Sequence, residues 1–73
     1  MNMVTTPKIE YVGDYTVRLD RFASIYGYNY FQVRVFKINV LVFDKTFTRP
    51  IMANQIYNDI IEKLKTKGDD GNE

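Results

Sequence analysis

The sequence predicts an α+β domain: a three-stranded antiparallel meander with one C-terminal helix packed on one face, in the order β-β-β-α. Three observations predict it. Apolar and polar residues alternate with a period of two through much of residues 15–47. After Pro50 the apolar residues recur every three or four positions, as on one side of a helix. The chain has 73 residues, so we expect a single domain spanning residues 1–73.

The N-terminal segment, residues 1–13, shows no clear period, and Pro7 and Gly13 interrupt it. Ile9, Tyr11 and Val12 are compatible with a short edge strand. We therefore expect either an N-terminal arm that is ordered only where it docks or a short edge strand.

The next segments predict the three strands. From Tyr15 to Phe22, apolar residues alternate with polar ones, and the interruption at residues 23–29 contains Gly27, which tolerates a positive φ. Tyr30 to Ile38 forms a second run of β-formers, and Val40 to Phe47 a third. Residues 37–39 are the only candidate turn between these two runs, so one long bent strand is the alternative.

A single helix is predicted after the strands. Thr48 is a candidate N-cap, Pro50 suits the first turn, and Gly68 is placed to end the helix. Residues 69–73 are polar, and we expect a disordered tail there. The apolar stripe of the helix comprises Ala53, Ile56, Tyr57, Ile60, Ile61 and Leu64.

A three-residue loop at residues 25–27 would set the register of the first hairpin. Val17 then lies opposite Val35, and Leu19 opposite Val33, on the face where we expect the helix stripe to pack. The other face places Arg18 beside Arg34, although like charges directly opposite each other destabilise a sheet. The remaining pairs on that face are Thr16 with Phe36, Asp20 with Gln32, and Phe22 with Tyr30.

The face without the helix is the predicted interaction site. One helix covers only one side of a three-stranded sheet, and a turn at residues 38–39 would add Leu41 and Phe43 to the exposed side. Aromatic residues and arginines are enriched at the centres of protein interfaces. Two alternatives remain open: the N-terminal arm covers this face, or the register slips by one residue and reverses every side chain. The predicted partner-binding residues are Arg18, Phe22, Tyr30, Arg34, Phe36 and Phe43.

Residues for catalysis or metal binding are scarce in this sequence. It contains no cysteine and no histidine, and Ser24, the only serine, has no base to activate it. Asp59 and Glu62 are expected on the solvated side of the helix, and the glycines form no phosphate-binding loop. We therefore predict no enzymatic activity, no cofactor and no bound metal.

The expected function is binding. Residues 1–49 carry seven Lys/Arg and four Asp/Glu, a balance of +3, which is far from the footprint of a duplex-DNA binder. The composition has the style of a small phage or mobile-element accessory protein that binds and modulates a host enzyme or complex, for example as an inhibitor. The alternative is single-stranded nucleic-acid binding, with clustered tyrosines as a stacking platform and Arg18, Arg21 and Arg34 on the backbone.

Three further expectations concern partners and location. A homodimer in which the aromatic faces of two sheets bury each other is a third hypothesis. No apolar stretch approaches the length of a membrane span, so no membrane partner is expected. The absence of cysteine and of a signal-peptide pattern at the N-terminus favours the cytoplasm, or the host cytoplasm if the protein is viral.

Overall fold

The computed structural model describes the backbone of residues 2–70 and the side chains of residues 8–66. It contains one antiparallel sheet, ordered β1-β2-β3-β4, and one C-terminal helix, so the α+β class and this arrangement are confirmed. The elements are β1 (Asn2–Val12), β2 (Tyr15–Ser24), β3 (Asn29–Lys37), β4 (Val40–Phe47) and α1 (Pro50–Asp70).

The prediction of three strands is wrong, because the N-terminal segment forms a fourth strand. β1 pairs antiparallel with β2 at the edge of the sheet, through a turn in which Gly13 has a φ of 59°. The register shifts between Thr5 and Lys8, and Pro7 lies in this irregular stretch. Edge positions and bulges tolerate proline, which has no N–H for the ladder. Pro7 therefore obscured the alternation without ending the strand.

The first predicted hairpin, β2–β3, is confirmed in detail. Val17 lies opposite Val35, Leu19 opposite Val33, and Arg18 opposite Arg34. The Ser24 N–H donates to the Tyr28 carbonyl at 2.9 Å, which closes a loop at residues 25–27. Gly27 has a φ of 94°, the left-handed conformation that glycine adopts without steric cost.

The second hairpin, β3–β4, confirms two strands in place of one long strand. Its turn residues Ile38 and Asn39 have φ values of 49° and 69°. Phe36 lies opposite Leu41, but Val35 lies opposite Phe43, so Val42 is an extra residue in β4. This bulge reverses the alternation and moves Phe43 to the side of the sheet that carries the helix. The prediction that Phe43 shares a face with Arg18 and Arg34 is therefore wrong.

The helix is present with Pro50 in its first turn, as expected, but its N-cap residue and its C-terminal end differ from the predictions. The Ala53 N–H donates to the Arg49 carbonyl at 3.2 Å, so Arg49 occupies the N-cap position predicted for Thr48. At the other end, α1 continues through Gly68 to Asp70. The predicted tail therefore begins inside the helix, and its residues 71–73 lie outside the described part of the chain.

The hydrophobic core lies between α1 and one face of the sheet, as predicted. Val17 and Val33 are fully buried there and meet Ala53 and Tyr57 of the helix stripe. Burial of such side chains is the main favourable term in folding. The other buried members are Leu19, Val35 and Phe47, and the partly buried stripe residues are Ile56, Ile60, Ile61 and Leu64.

The helix also contacts β1. Lys65 Nζ lies 3.6 Å from Glu10 Oε2, and Lys8 Nζ lies 5.7 Å from the centroid of the Tyr57 ring. Burial, and secondarily the charge of Glu10, raise the pKa of Tyr57 above its ordinary value of 10.0. These contacts place the C-terminal part of α1 over the β1 side of the sheet.

Candidate binding surface

The side of the sheet opposite α1 carries all the residues that the sequence predicted for binding except Phe43. In β2 and β3 it carries four cross-strand pairs, and β1 and β4 extend it on either side. We call this surface the arginine face. Its members are Thr16 with Phe36, Arg18 with Arg34, Asp20 with Gln32, Phe22 with Tyr30, and the flanking residues Ile9, Tyr11, Leu41, Asp44 and Thr46.

Asp20 connects the two arginines at the centre of this face. Its side chain is fully buried, and its Oδ1 lies 3.1 Å from an Nη atom of Arg18. Its Oδ2 accepts a hydrogen bond from Arg34. The side chains of Arg18 and Arg34 are 35% and 26% exposed. The shared carboxylate offsets the like-charge repulsion expected for this pair, and it fixes both guanidinium groups.

Sequence reasoning placed Asp20 on the correct face but did not assign it this role. The sequence contained the information for this role. Asp20 lies two residues from Arg18 on the same strand, and it lies diagonal to Arg34 on the neighbouring strand. Both positions are within reach of a long side chain.

Asp44 adds a second acid to the face. It lies opposite Arg34, and its Oδ1 accepts a hydrogen bond from Gln32 Nε2 at 2.8 Å. The four charged residues of the face in β2, β3 and β4, Arg18, Asp20, Arg34 and Asp44, thus have a formal charge of zero. The sequence had left Asp44 among scattered acids, because its face depends on the bulge at Val42.

Aromatic side chains occupy the end of the face near residues 25–27. The rings of Phe22 and Tyr30 are stacked, with centroids 4.8 Å apart and planes 2° from parallel. Both side chains are half-buried. Offset-stacked pairs of this kind are stable and rigid, so this end of the face also has a defined shape.

An open depression of about 330 Å³ lies at the opposite end of the face. Tyr11 and Ile9 of β1 border it and are 71% and 43% exposed. Arg18 and the half-buried Phe36 form its other side. The sequence left open whether residues 1–13 form an arm or a short edge strand, so it did not place Ile9 and Tyr11 beside Arg18 and Phe36. Its complete lining is Ile9, Tyr11, Thr16, Arg18, Phe36 and Asn39.

The five tyrosines that suggested a platform for nucleic acid do not all lie together, although Tyr30 stacks on Phe22 at the end of the sheet nearest the hairpin loop. Tyr26 and Tyr28 are exposed near the hairpin loop, Tyr11 lies at the far end of the sheet, and Tyr15 packs against the helix-side core. Arg21 lies opposite Phe31 on the helix side, away from Arg18 and Arg34.

Ser24, Asp59 and Glu62 were the residues considered for catalysis in the sequence. Ser24 Oγ accepts a hydrogen bond from the Tyr26 N–H at 3.0 Å, which confirms it as a turn residue. Asp59 and Glu62 are exposed on α1. Among the side chains of residues 8–66, no three acidic groups lie close enough to hold a metal ion.

Comparison of the chain with protein-family models, curated proteins and solved structures gives no significant match. In the described part of the chain, no helix combines the length and the apolar character needed to cross a membrane.

Proposed function

We propose that this chain is a non-enzymatic protein-binding module and that its arginine face docks on a protein partner. The observation that carries the proposal is the Arg18–Asp20–Arg34 cluster, which is held rigid between two areas of half-buried and exposed aromatic side chains. Arginine and aromatic residues dominate the energetic centres of protein interfaces. Of the predicted binding residues, Phe43 lies on the other side of the sheet; Ile9 and Tyr11 join the proposed surface.

Preorganisation supports this function. Binding orders flexible side chains at a cost of roughly 0.5–1.5 kcal/mol for each one immobilised. Here Asp20 already holds both arginines, and Phe22 already stacks on Tyr30 at a centroid distance of 4.8 Å. A partner would meet these groups in their final arrangement, so less of the contact energy would be lost to ordering.

Charge balance favours a protein partner over single-stranded nucleic acid. A nucleic-acid groove follows the phosphates with excess positive charge. On the arginine face the two guanidinium groups of Arg18 and Arg34 are matched by Asp20 and Asp44. A protein surface with its own mixed polar groups is the better complement. A small phage or mobile-element protein acting on a host enzyme would use the face in this way.

The test compares three immobilised chains as baits for proteins of a cell extract from the native source. We expect the double variant Tyr11→Ala, Phe36→Ala to lose a protein that the unaltered chain retains. Tyr26→Ala is the matched control, because Tyr26 is 80% exposed but lies in the hairpin loop, away from the depression. It should retain the partner. Thermal unfolding followed by circular dichroism checks that all three chains fold.

The same experiment distinguishes the nucleic-acid alternative. Nuclease treatment and raised salt should leave a protein partner bound. Loss of capture on nuclease treatment, together with binding of mixed single-stranded oligonucleotides that weakens steeply with salt, would favour nucleic acid instead. Equal capture by the double variant and the unaltered chain would remove the arginine face as the site.

A further inference from the structure

The outer edge of β4 is exposed and apolar. Among the described strands, none pairs with this edge. Val40, Leu41, Val42 and Phe43 are 62%, 48%, 54% and 37% exposed, and Ile38 in the preceding turn is 65% exposed. No charged residue and no proline lies between positions 38 and 43. An edge of this composition offers free backbone N–H and C=O groups beside apolar side chains, and so favours pairing with another strand.

The opposite edge of the sheet is different. β1 carries Lys8 and Glu10 and has an irregular register between Thr5 and Lys8. Charged side chains and bulges are the usual devices by which proteins prevent edge pairing. β4 has a bulge of its own at Val42, and its charged residues, Asp44 and Lys45, follow the apolar run, so the contrast with β1 is the absence of charge from residues 38–43.

The helix leaves the β4 side partly open. One helix is about 10–12 Å wide, whereas the outer strands of a four-stranded sheet are roughly 14 Å apart. The C-terminal part of α1 lies towards β1, where Lys65 contacts Glu10. Phe43 therefore remains 37% exposed although it points to the helix side.

We propose that β4 pairs antiparallel with β4 of a second copy of this chain, which makes one continuous eight-stranded sheet. The twofold axis would run perpendicular to the sheet, so both helices lie on one side. This occupant fits the open space, because Phe43 and its copy would come together between the two helices. It also places the two arginine faces on the same side of the joined sheet. The inference does not depend on the function of that face.

The charges of β4 select the register of this pairing. In a twofold antiparallel pair, the residue on the axis lies opposite its own copy. A pair centred on Asp44 or Lys45 would bring like charges together, which is destabilising. A pair centred on Val42 avoids both clashes and places Leu41, Val42 and Phe43 of both copies at the axis, with Val40 opposite Asp44. The positions of the charged residues and of the apolar residues in β4 therefore both favour an axis at Val42.

Sedimentation velocity over a range of roughly 5–500 µM tests the pairing, since a small interface gives a concentration-dependent dimer. We expect the unaltered chain to reach twice the monomer mass. Val42→Lys should raise the dissociation constant at least about tenfold, because two lysines would face each other near the axis. Ile25→Lys is the matched control; Ile25 is 65% exposed in the distant hairpin loop. It should dimerise like the unaltered chain.

A monomer at every concentration, or an undiminished dimer of Val42→Lys, would overturn the proposal. A second measurement identifies the surface. The chain contains no cysteine, so Val42→Cys would carry a single thiol near the axis, where opposed Cα atoms are about 4.5–5.5 Å apart and suit a disulfide. Under mild oxidation it should form a covalent dimer, whereas Ile25→Cys should not. A failure of Val42→Cys to cross-link, or equal cross-linking of both variants, would refute edge pairing.

Discussion

At the scale of single residues, Asp20 explains how two arginines can lie directly opposite each other. Its carboxylate is fully buried and contacts both guanidinium groups, so the central charges of the arginine face compensate each other. Buried charges are tolerated only when they are paired and hydrogen-bonded. The stability of the sheet and the shape of the binding surface thus depend on the same carboxylate.

Replacement Asp20→Asn should therefore be strongly destabilising. It leaves Arg18 and Arg34 facing each other without the compensating charge, and removing one partner of a buried pair costs about 3 kcal/mol or more. A domain of this size has a free energy of unfolding of roughly 4–11 kcal/mol. We expect the unfolding midpoint to fall by more than about 10 °C, as measured by circular dichroism.

Two comparisons assign that loss to the buried charge. Asp44→Asn makes the same change at an exposed acid on the same face, and it should cost at most about 1 kcal/mol. The triple variant Arg18→Met, Asp20→Leu, Arg34→Met removes all three charges and should recover much of the lost stability. Equal effects of Asp20→Asn and Asp44→Asn would show that the cluster is not a buried ion pair in solution.

At the scale of elements, the accuracy of the sequence-based predictions follows the regularity of each strand. The β2–β3 register was predictable because Val17 and Leu19 alternate with polar residues and Gly27 marks the loop. β1 was underestimated because Pro7 lies in a register shift, where a simple period of two fails. Phe43 was assigned to the wrong face because the bulge at Val42 has no signature within a uniform apolar run. The faces predicted for residues of β2 and β3 are therefore correct, and in β4 the prediction holds for Leu41, before the bulge, and fails for Phe43, after it.

The β3–β4 turn contains strain that a substitution can release. Ile38 has a φ of 49°, and a left-handed conformation costs roughly 1–2 kcal/mol for a side chain with a Cβ, most of all a branched one. Asparagine tolerates this conformation and is common in such hairpin turns. Because Ile38 is 65% exposed, little packing is lost. We expect Ile38→Asn to increase the free energy of unfolding by about 1 kcal/mol, measured by urea titration.

Ile25→Asn is the control for this turn. Ile25 is also an isoleucine in a hairpin loop and is also 65% exposed, but its φ is not positive. Its replacement should leave the free energy of unfolding nearly unchanged. A similar gain at both positions would attribute the effect to reduced surface hydrophobicity, and no gain at Ile38 would contradict the strain argument.

At the scale of the whole molecule, β1 connects the two sides of the fold. Through Ile9 and Tyr11 it borders the depression on the arginine face, and through Lys8 and Glu10 it contacts the helix. It also covers the edge of β2, which contains the fully buried Val17. In so small a domain each strand contributes a large share of the buried area.

Removal of residues 1–13 should therefore abolish cooperative unfolding and leave no arginine face to bind a partner. The reason is the loss of the β1–β2 ladder and of the surface on which the C-terminal part of α1 rests. The double variant Lys8→Ala, Glu10→Ala keeps the strand but removes its polar contacts with the helix, and exposed contacts of this kind contribute little. Its melting curve should stay close to that of the full chain, while chain 14–73 shows no sharp transition by circular dichroism. An unchanged midpoint for chain 14–73 would mean that β1 is an appendage, and that the core of β2, β3, β4 and α1 is sufficient for folding.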